Sequence, residues 1–315
     1  MHVIDGERAH ALLDYPGLVE ALRDLFRRGV DRIERTFLEQ PLPGGESNNW
    51  LILPAWQFGR NFGAKLVSVF PGNSAKGKEA VLGLYALFDG DTGEPLAIID
   101  GAALTARKTA ANSALAATYL AREDTARMVM VGAGAMAPHL IMAHRAVRPI
   151  REVKVWNRSA DRARQLAGDL KIEGVRIEAT ENLESAVRWA DLVSCATMAT
   201  KPLLKGAWLK PGTHLDLVGG FRPDMREADD EAVKRASRHY IDTRITTIGV
   251  SGDITDPIEA GLIDPAALID TGELARGEKP GRIAREEITF FKSGGGGHED
   301  LGTAQYLLRK LQSAG

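Results

Sequence analysis

Apolar residues recur every three to four positions near the start of the chain, at Leu18, Leu22, Leu25 and Phe26, and predict a helix beginning at about Asp14. The texture then changes to short β-rich runs at 50–54, 64–70, 81–89 and 95–100, punctuated by turn signals such as PGN and GDTG. GDTGEP at 90–95, between VLGLYALFD and LAIIDG, is a hairpin signal, and these runs together predict an antiparallel meander. An Ala-rich stretch over 104–124 reads as one helix of about five turns. Beyond it, strands alternate with helices: RMVMVGAGA, PHLIMAHRAV, EVKVWNRS, SADRARQLAGDL, VRIEAT, NLESAVRWA and DLVSCAT, then the strands THLDLVGG and HYIDT. That alternation predicts an α/β fold with a doubly wound parallel sheet of Rossmann type. The tail reads as a strand (EITFFKS), a glycine run and a final amphipathic helix.

Composition narrows the class. A chain of 315 residues suggests two domains. With 44% hydrophobic and 26% charged residues it is an ordinary globular chain and not a disordered or fibrous one. Lys plus Arg is 40 against 42 Asp plus Glu, a formal charge of −2, which gives no general attraction for nucleic acid or an anionic membrane. The single cysteine, Cys195, cannot form an internal disulfide, so a reducing, cytoplasmic compartment is expected. No run of about 18 apolar residues is present and the first residues lack an apolar signal core, so neither a membrane span nor a secretory leader is expected.

The sharpest chemical motif is VMVGAGAMA, which sets Gly132, Gly134 and Ala137 in a G-x-G-x-x-A frame with Ala135 and Met136 at the turn into the helix. The first glycine allows the tight strand-to-helix turn, the second lets backbone approach a pyrophosphate, and the small third residue packs helix on strand. The helix N-terminus then offers free N–H groups to the phosphates. An apolar strand before it and a second strand about 20 residues on make dinucleotide binding the preferred reading over a generic glycine turn. At the end of that second strand an NAD enzyme usually carries an acid for the ribose hydroxyls. Here Asn157, Arg158 and Ser159 stand there, with Arg162 one turn on. A guanidinium attracts a 2′-phosphate that a carboxylate would repel, so NADPH is expected, with NADH possible.

Six stretches carry a resemblance along nearly the whole chain: GAKLVSVFPGN (63–73), GAALTARKTAANSALAA (101–117), VGAGAMA (131–137), ADLVSCAT (190–197), HLDLVGGFRPDMREAD (214–229) and ITFFKSGGGGHEDLGTA (288–304). In order and spacing they resemble the ornithine cyclodeaminase/mu-crystallin family, most of all its bacterial Δ1-pyrroline-2-carboxylate and Δ1-piperideine-2-carboxylate reductases. The resemblance implies a strand-rich α+β substrate and dimerisation domain, 1–113 plus 292–315, with a nucleotide-binding domain, 114–291, inserted into it. It further implies a homodimer with substrate between the domains. Basic residues that hold the substrate carboxylate would be Lys65 and Arg107, with Arg35 a less securely aligned third. Cyclodeaminases resembling this chain carry an aspartate after the glycine pair where Phe221 stands here, and phenylalanine cannot transfer a proton. A ketimine reductase needs that acid less, since a protonated cyclic imine accepts hydride directly; Phe221 would line the pocket, fill the core, or both.

The resulting expectation is NADPH-dependent reduction of Δ1-pyrroline-2-carboxylate to proline and of Δ1-piperideine-2-carboxylate to pipecolate. Alternatives are an ornithine cyclodeaminase, an alanine-dehydrogenase-like enzyme, or a non-catalytic nucleotide-dependent binding protein. Ala196 and Thr197, following the SCAT strand, would border the nicotinamide ribose. Cys195 reads as a buried small hydrophobe. His139, His144, His214 and His298 lack metal-ligand spacing, so no metal is expected. Asp224 is a weaker candidate for the missing acid and reads first as a helix N-cap with Glu227 completing a D-x-x-E box; Asp300, which the resemblance matches to an acid of the family's tail, would anchor the cofactor or, in the preferred reading, cap the last helix. The resemblance implies that Lys292 and Ser293, at the return between the domains, approach the nicotinamide.

Overall fold

The computed structural model describes residues 1–43 and 47–314. The chain divides into two compact units, residues 1–108 with 296–315 and residues 109–295.

Unit 1 holds β1 (His2–Ile4), β2 (Arg32–Ile33), β3 (Thr36–Pro41), β4 (Ser47–Gln57), β5 (Asn61–Val69), β6 (Val81–Asp89) and β7 (Pro95–Asp100). They form a sheet in the order β1-β7-β6-β5-β4-β2, with β3 also on β4. Most of it is the expected antiparallel meander, but β1 joins β7 in parallel, because the chain leaves β1 through a helix and not a hairpin. The helix Tyr15–Arg28 is capped by Asp14, whose carboxylate accepts from Gly17 N at 2.9 Å. It buries Leu18, Leu22, Leu25 and Phe26, the residues whose spacing predicts it. Gly63 and Lys65 on β5, Tyr85 and Leu87 on β6, and Ala97 and Ile99 on β7 are buried and alternate with more exposed neighbours, as one inner sheet face requires. Gly63 has to be glycine: a Cβ there would sit 2.3 Å from the Tyr85 hydroxyl. The opposite face is apolar and open. Trp56, Phe62 and Phe88 form a cross-strand row, the last two stacked at 4.8 Å, and Trp50, Trp56, Leu82 and Leu84 are exposed.

Unit 2 is built on eight strands, β8 (Arg127–Val131), β9 (Glu152–Trp156), β10 (Arg176–Ala179), β11 (Leu192–Cys195), β12 (His214–Leu217), β13 (His239–Ile241), β14 (Ile269–Asp270) and β15 (Thr289–Lys292). Their order is β10-β9-β8-β11-β12-β15-β13-β14 and every pairing is parallel, the doubly wound sheet of the sequence reading. The order reverses between β8 and β11, the switch point at which such sheets take ligands. The helix Gly101–Leu120 begins three residues earlier than its sequence pattern suggests, and the division between the units falls within it. Among the described residues no helix is long and apolar enough to cross a membrane.

The interior of unit 2 holds neutralised polar groups. The Asp216 carboxylate accepts from Ser113 Oγ at 2.9 Å and Ser194 Oγ at 2.7 Å, and lies 3.1 Å from His144 Nε2. His214 is wholly buried; its Nδ1 lies 2.9 Å from Thr289 Oγ1 on the neighbouring strand, and its Nε2 has no hydrogen-bond partner among the described residues. Burial therefore lowers its pKa from 6.5 to about 3. Because the folded value is depressed, this group's contribution is complete above pH 6.5 and is lost as the pH falls toward 3, by at most about 1.4 kcal/mol per pH unit. Urea titrations between pH 7 and 4.5 should show His214→Asn, which keeps a donor to Thr289, losing stability less steeply with acid than the natural chain. Equal slopes would show that His214 is not buried neutral.

Candidate functional site

In unit 2 the backbone after β8 forms the tight strand-to-helix turn that the glycine frame predicts. Gly132 has φ +107°, and a Cβ on it would lie 2.5 Å from the carbonyl oxygen of Ala196, so this position tolerates only glycine. It is held by its own N–H to Trp156 O at 2.8 Å. Gly134 is the opposite case: a Cβ there would meet nothing within 4 Å. Open space over backbone, at the N-terminus of the helix Met136–Val147 whose Ala135 cap has no side-chain hydrogen bond, is what a pyrophosphate requires. Ala137 is fully buried beneath the turn. A dinucleotide therefore fits the residues present.

Asn157 does more than replace an acid. Its Oδ1 accepts from Ala133 N at 3.3 Å and its Nδ2 donates to Ser159 O at 3.1 Å, so the amide braces the glycine turn against the end of β9. Arg158 and Arg162 are exposed, and neither forms an ion pair among the described residues; Ser159 is the exposed N-cap of the helix Ala160–Asp169.

The turns after β11 and β12 are tied together by a residue that motif reading assigns otherwise. Glu227 Oε1 accepts from Thr197 N at 2.7 Å and Thr197 Oγ1 at 2.8 Å, while Oε2 accepts from Gly219 N at 2.8 Å. It is only 1% exposed, and burial raises its pKa to about 7, against the opposing pull of Lys292. Asp253 accepts from Glu227 N at 2.8 Å through Oδ1, and its Oδ2 lies 3.5 Å from Lys292 Nζ. The predicted D-x-x-E capping box is therefore absent. Asp224 is exposed and forms a two-bond pair with Arg222, and the following helix, Asp230–Arg235, is capped by Asp229. Phe221 is 52% exposed and is no core residue. Cys195 is buried, and burial pushes its thiol pKa well above the ordinary value, so it remains a neutral small side chain.

In unit 1 the helix Gly101–Leu120 sets Thr105 and Lys108, three residues apart, on one side. Lys65, from β5, lies 3.0 Å from Asp300 Oδ2 and 3.3 Å from Thr105 Oγ1; Lys108 lies 2.8 Å from Glu299 Oε2. Burial lowers the Lys65 pKa below its usual value, the charge of Lys108 adds to the effect, and Asp300 opposes it. Asp300 is thus an ion-pair partner of Lys65 and not a helix cap. Arg107 is turned away from this cluster. Its Nε donates to His10 Nδ1 at 3.1 Å, its Nη2 to His10 O at 2.8 Å, and its guanidinium carbon lies 4.7 Å above the Tyr15 ring. Two positions along a helix is a rotation of about 200°, which separates Arg107 from Thr105 and brings Lys108 into its place. Helical spacing was the available signal for Lys108; Glu227 and Asp253 had none in their local sequence. Arg35 lies exposed in the turn between β2 and β3.

A family model described as ornithine cyclodeaminase/mu-crystallin family matches residues 19–315. The Delta(1)-pyrroline-2-carboxylate reductase of Paracoccus denitrificans is 41% identical over 301 residues, covering 95% of this chain and 93% of that protein. Among solved structures, Thermococcus litoralis Delta(1)-pyrroline-2-carboxylate reductase, in complex with NADH and L-proline, superposes with a TM-score of 0.90 at 30% identity, covering 100% of this chain and 98% of that one. An archaeal alanine dehydrogenase dimer with bound NAD does so with a TM-score of 0.88 at 27% identity, covering 100% and 97%.

The open cradle at Gly134 yields a prediction. Gly134→Val should weaken NADH binding, read by fluorescence titration, by about tenfold or more, because the side chain occupies the space a pyrophosphate needs. Its melting temperature should stay close to that of the natural chain, since no atom is displaced. Undiminished binding would remove the glycine turn from the coenzyme site.

Proposed function

The chain belongs to the ornithine cyclodeaminase/mu-crystallin family, and from that premise we propose that it reduces the cyclic imino acids Δ1-pyrroline-2-carboxylate and Δ1-piperideine-2-carboxylate to proline and pipecolate, with NADPH preferred as coenzyme. It is a nicotinamide-dependent oxidoreductase. The observation that carries the substrate assignment is the buried group of Lys65, Lys108, Glu299 and Asp300. When all four are ionised they carry two charges of each sign. A protonated imino acid carries one of each, so it can enter without adding net charge to a place where an unpaired charge is costly.

The carbon of the C=N bond would accept hydride from a bound reduced coenzyme. The protein's part is to bind and orient. Lys65 and Lys108 grip the substrate carboxylate, and Thr105 helps to fix the Lys65 ammonium. Arg107 supports this indirectly, since its bonds to His10 and its stacking on Tyr15 anchor the helix that carries Lys108. Phe221, which has no proton to give, is consistent with reduction of a ring that is already protonated, rather than with release of ammonia.

Preference for NADPH rests on Arg158 and Arg162. They are exposed and form no ion pair among the described residues; Arg158 directly precedes the N-cap and Arg162 lies in the first turn of the helix, where a 2′-phosphate would meet two guanidinium groups. The exposed apolar face of the unit 1 sheet, with Trp50 and Trp56, is where a second copy of the chain would pack to give a homodimer.

A spectrophotometric assay should show NADPH oxidation with either cyclic imine, and not with pyruvate plus ammonia; absence of turnover with both imines would overturn the reading. Lys108→Met paired with Glu299→Gln, which leaves no unpaired acid, should raise the imine KM about tenfold or more. Arg107→Met should instead lower the melting temperature with a smaller change in KM. Arg158→Ala with Arg162→Ala should remove the preference for NADPH while leaving NADH turnover near its original rate, and an unchanged preference would dismiss the two arginines.

A further inference from the structure

We infer that Glu227 is a positioning residue for coenzyme binding: its carboxylate fastens the turn after β11 to the turn after β12, and so shapes the carboxyl end of the parallel sheet that receives the nicotinamide half. The inference rests on the coenzyme reading above, and its first support is geometric. Glu227 spends both oxygens on the two turns, two bonds to Thr197 and one to Gly219. The turns are in close contact at this point, since a Cβ on Gly219 would lie 2.1 Å from Thr197 O. On its other side Thr197 lies against the glycine turn, where a Cβ on Gly132 would approach Thr197 Cγ2 to 3.3 Å. One carboxylate therefore sets the relation between β11, β12 and the phosphate-binding turn.

A second, independent observation lies beside it. Ser251 Oγ is buried with no hydrogen-bond partner among the described residues, and Lys292 Nζ and Asp253 Oδ2, buried beside it, have only their 3.5 Å ion pair with each other. Asp253 Oδ2 and Ser251 Oγ crowd Gly220, where a Cβ would lie 2.7 Å and 3.3 Å from them. Buried polar atoms left unsatisfied in a native fold commonly mark a place completed by water or ligand.

The clasp is made by an acceptor-only group. One backbone N–H, a donor that cannot accept, faces each oxygen, Thr197 N at Oε1 and Gly219 N at Oε2, so a proton on either oxygen competes with a fixed donor. The charged groups that face Glu227 are Lys292 from β15 and Asp253 from the helix Gly252–Glu259; from β11 it faces the Cys195 thiol, which burial keeps neutral. Behind these, Asp216 on β12 is buried, but hydrogen bonds from His144 and Ser194 outweigh burial and hold its pKa below the ordinary value. With its own pKa at about 7, Glu227 changes charge near neutrality, and the clasp closes as the pH rises through that value.

The test uses the full chain and NADH as probe, because the 2′-phosphate of NADPH itself titrates near pH 6. Fluorescence titrations from pH 6 to 8.5 should show the NADH Kd of the natural chain tightening about fivefold or more. In Glu227→Gln, whose amide donates where Gly219 also donates, binding should be about tenfold weaker and independent of pH. Hydrogen exchange in the coenzyme-free chain should show faster exchange at Thr197 and Gly219 in the variant, and in the natural chain at pH 6, after correction for intrinsic rate. Thr197→Val keeps both backbone bonds and loses the hydroxyl, so it should move the pH midpoint upward and preserve the dependence, even if the glutamine variant fails to fold. A Glu227→Gln protein that binds NADH as the natural chain does, or that keeps its pH dependence, overturns the inference, as does a Thr197→Val midpoint that does not move. If no variant and no natural chain binds NADH, the coenzyme reading fails, and the exchange measurement still decides whether the clasp exists.

Discussion

Two buried ammonium groups set the terms for unit 1. Lys65 is 6% exposed on the inner face of the sheet, and Lys108 is 3% exposed at the next layer. A buried cation without a partner costs several kcal/mol, so each needs an acid in its immediate surroundings. Among the described residues no acid close in sequence meets Lys65; its partner is Asp300, 235 residues later, and the partner of Lys108 is the adjacent Glu299. The chain end must therefore return to the sheet at which the chain began. The glycine run makes that return possible: a Cβ on Gly297 would lie 2.9 Å from Leu53 O and 3.1 Å from Pro54 O, so the last helix can start against β4 only without a side chain there. The inserted position of unit 2 in the sequence follows from this closure.

In unit 2 the governing constraint is the parallel sheet. Parallel strands end on the same side, so the turns after β8, β11, β12 and β15 gather there, and with them their polar backbone groups. Side chains satisfy several of them. Asn157 takes Ala133 N, Glu227 takes Thr197 N and Gly219 N, and Asp242 takes Gly294 N and Gly295 N, with Oδ2 distances of 2.8 and 2.5 Å. The residues that organise the strand ends are accordingly amides and acids rather than the glycines alone.

The two units divide the chemistry. One holds two buried ion pairs, Lys65 with Asp300 and Lys108 with Glu299; the other holds a glycine turn with open space over Gly134. Basic residues one position apart on a helix illustrate how sharply geometry sorts such roles. Lys108 joins the buried acids, while Arg107 reaches back to His10 and Tyr15 and holds two helices together.

Local and periodic properties were legible from the amino acids alone: the amphipathic spacing of Leu18 to Phe26, the meander with its GDTG turn, the alternation that makes a parallel sheet, and the glycine frame at 132–137. Each depends on a residue and its neighbours within a few positions, where backbone sterics and side-chain period act. The parallel pairing of β1, the partner of Lys65, the pairing of Lys108 with Glu299 and the burial of Glu227 were not legible. These depend on which groups share a low-dielectric interior, and that is settled when segments hundreds of residues apart compete for the same few hydrogen-bond donors. Asp224 and Glu227 show the difference: the spacing D-x-x-E is common to a helix cap and to a loop whose glutamate turns inward, and only the donors at Thr197 and Gly219 select the second.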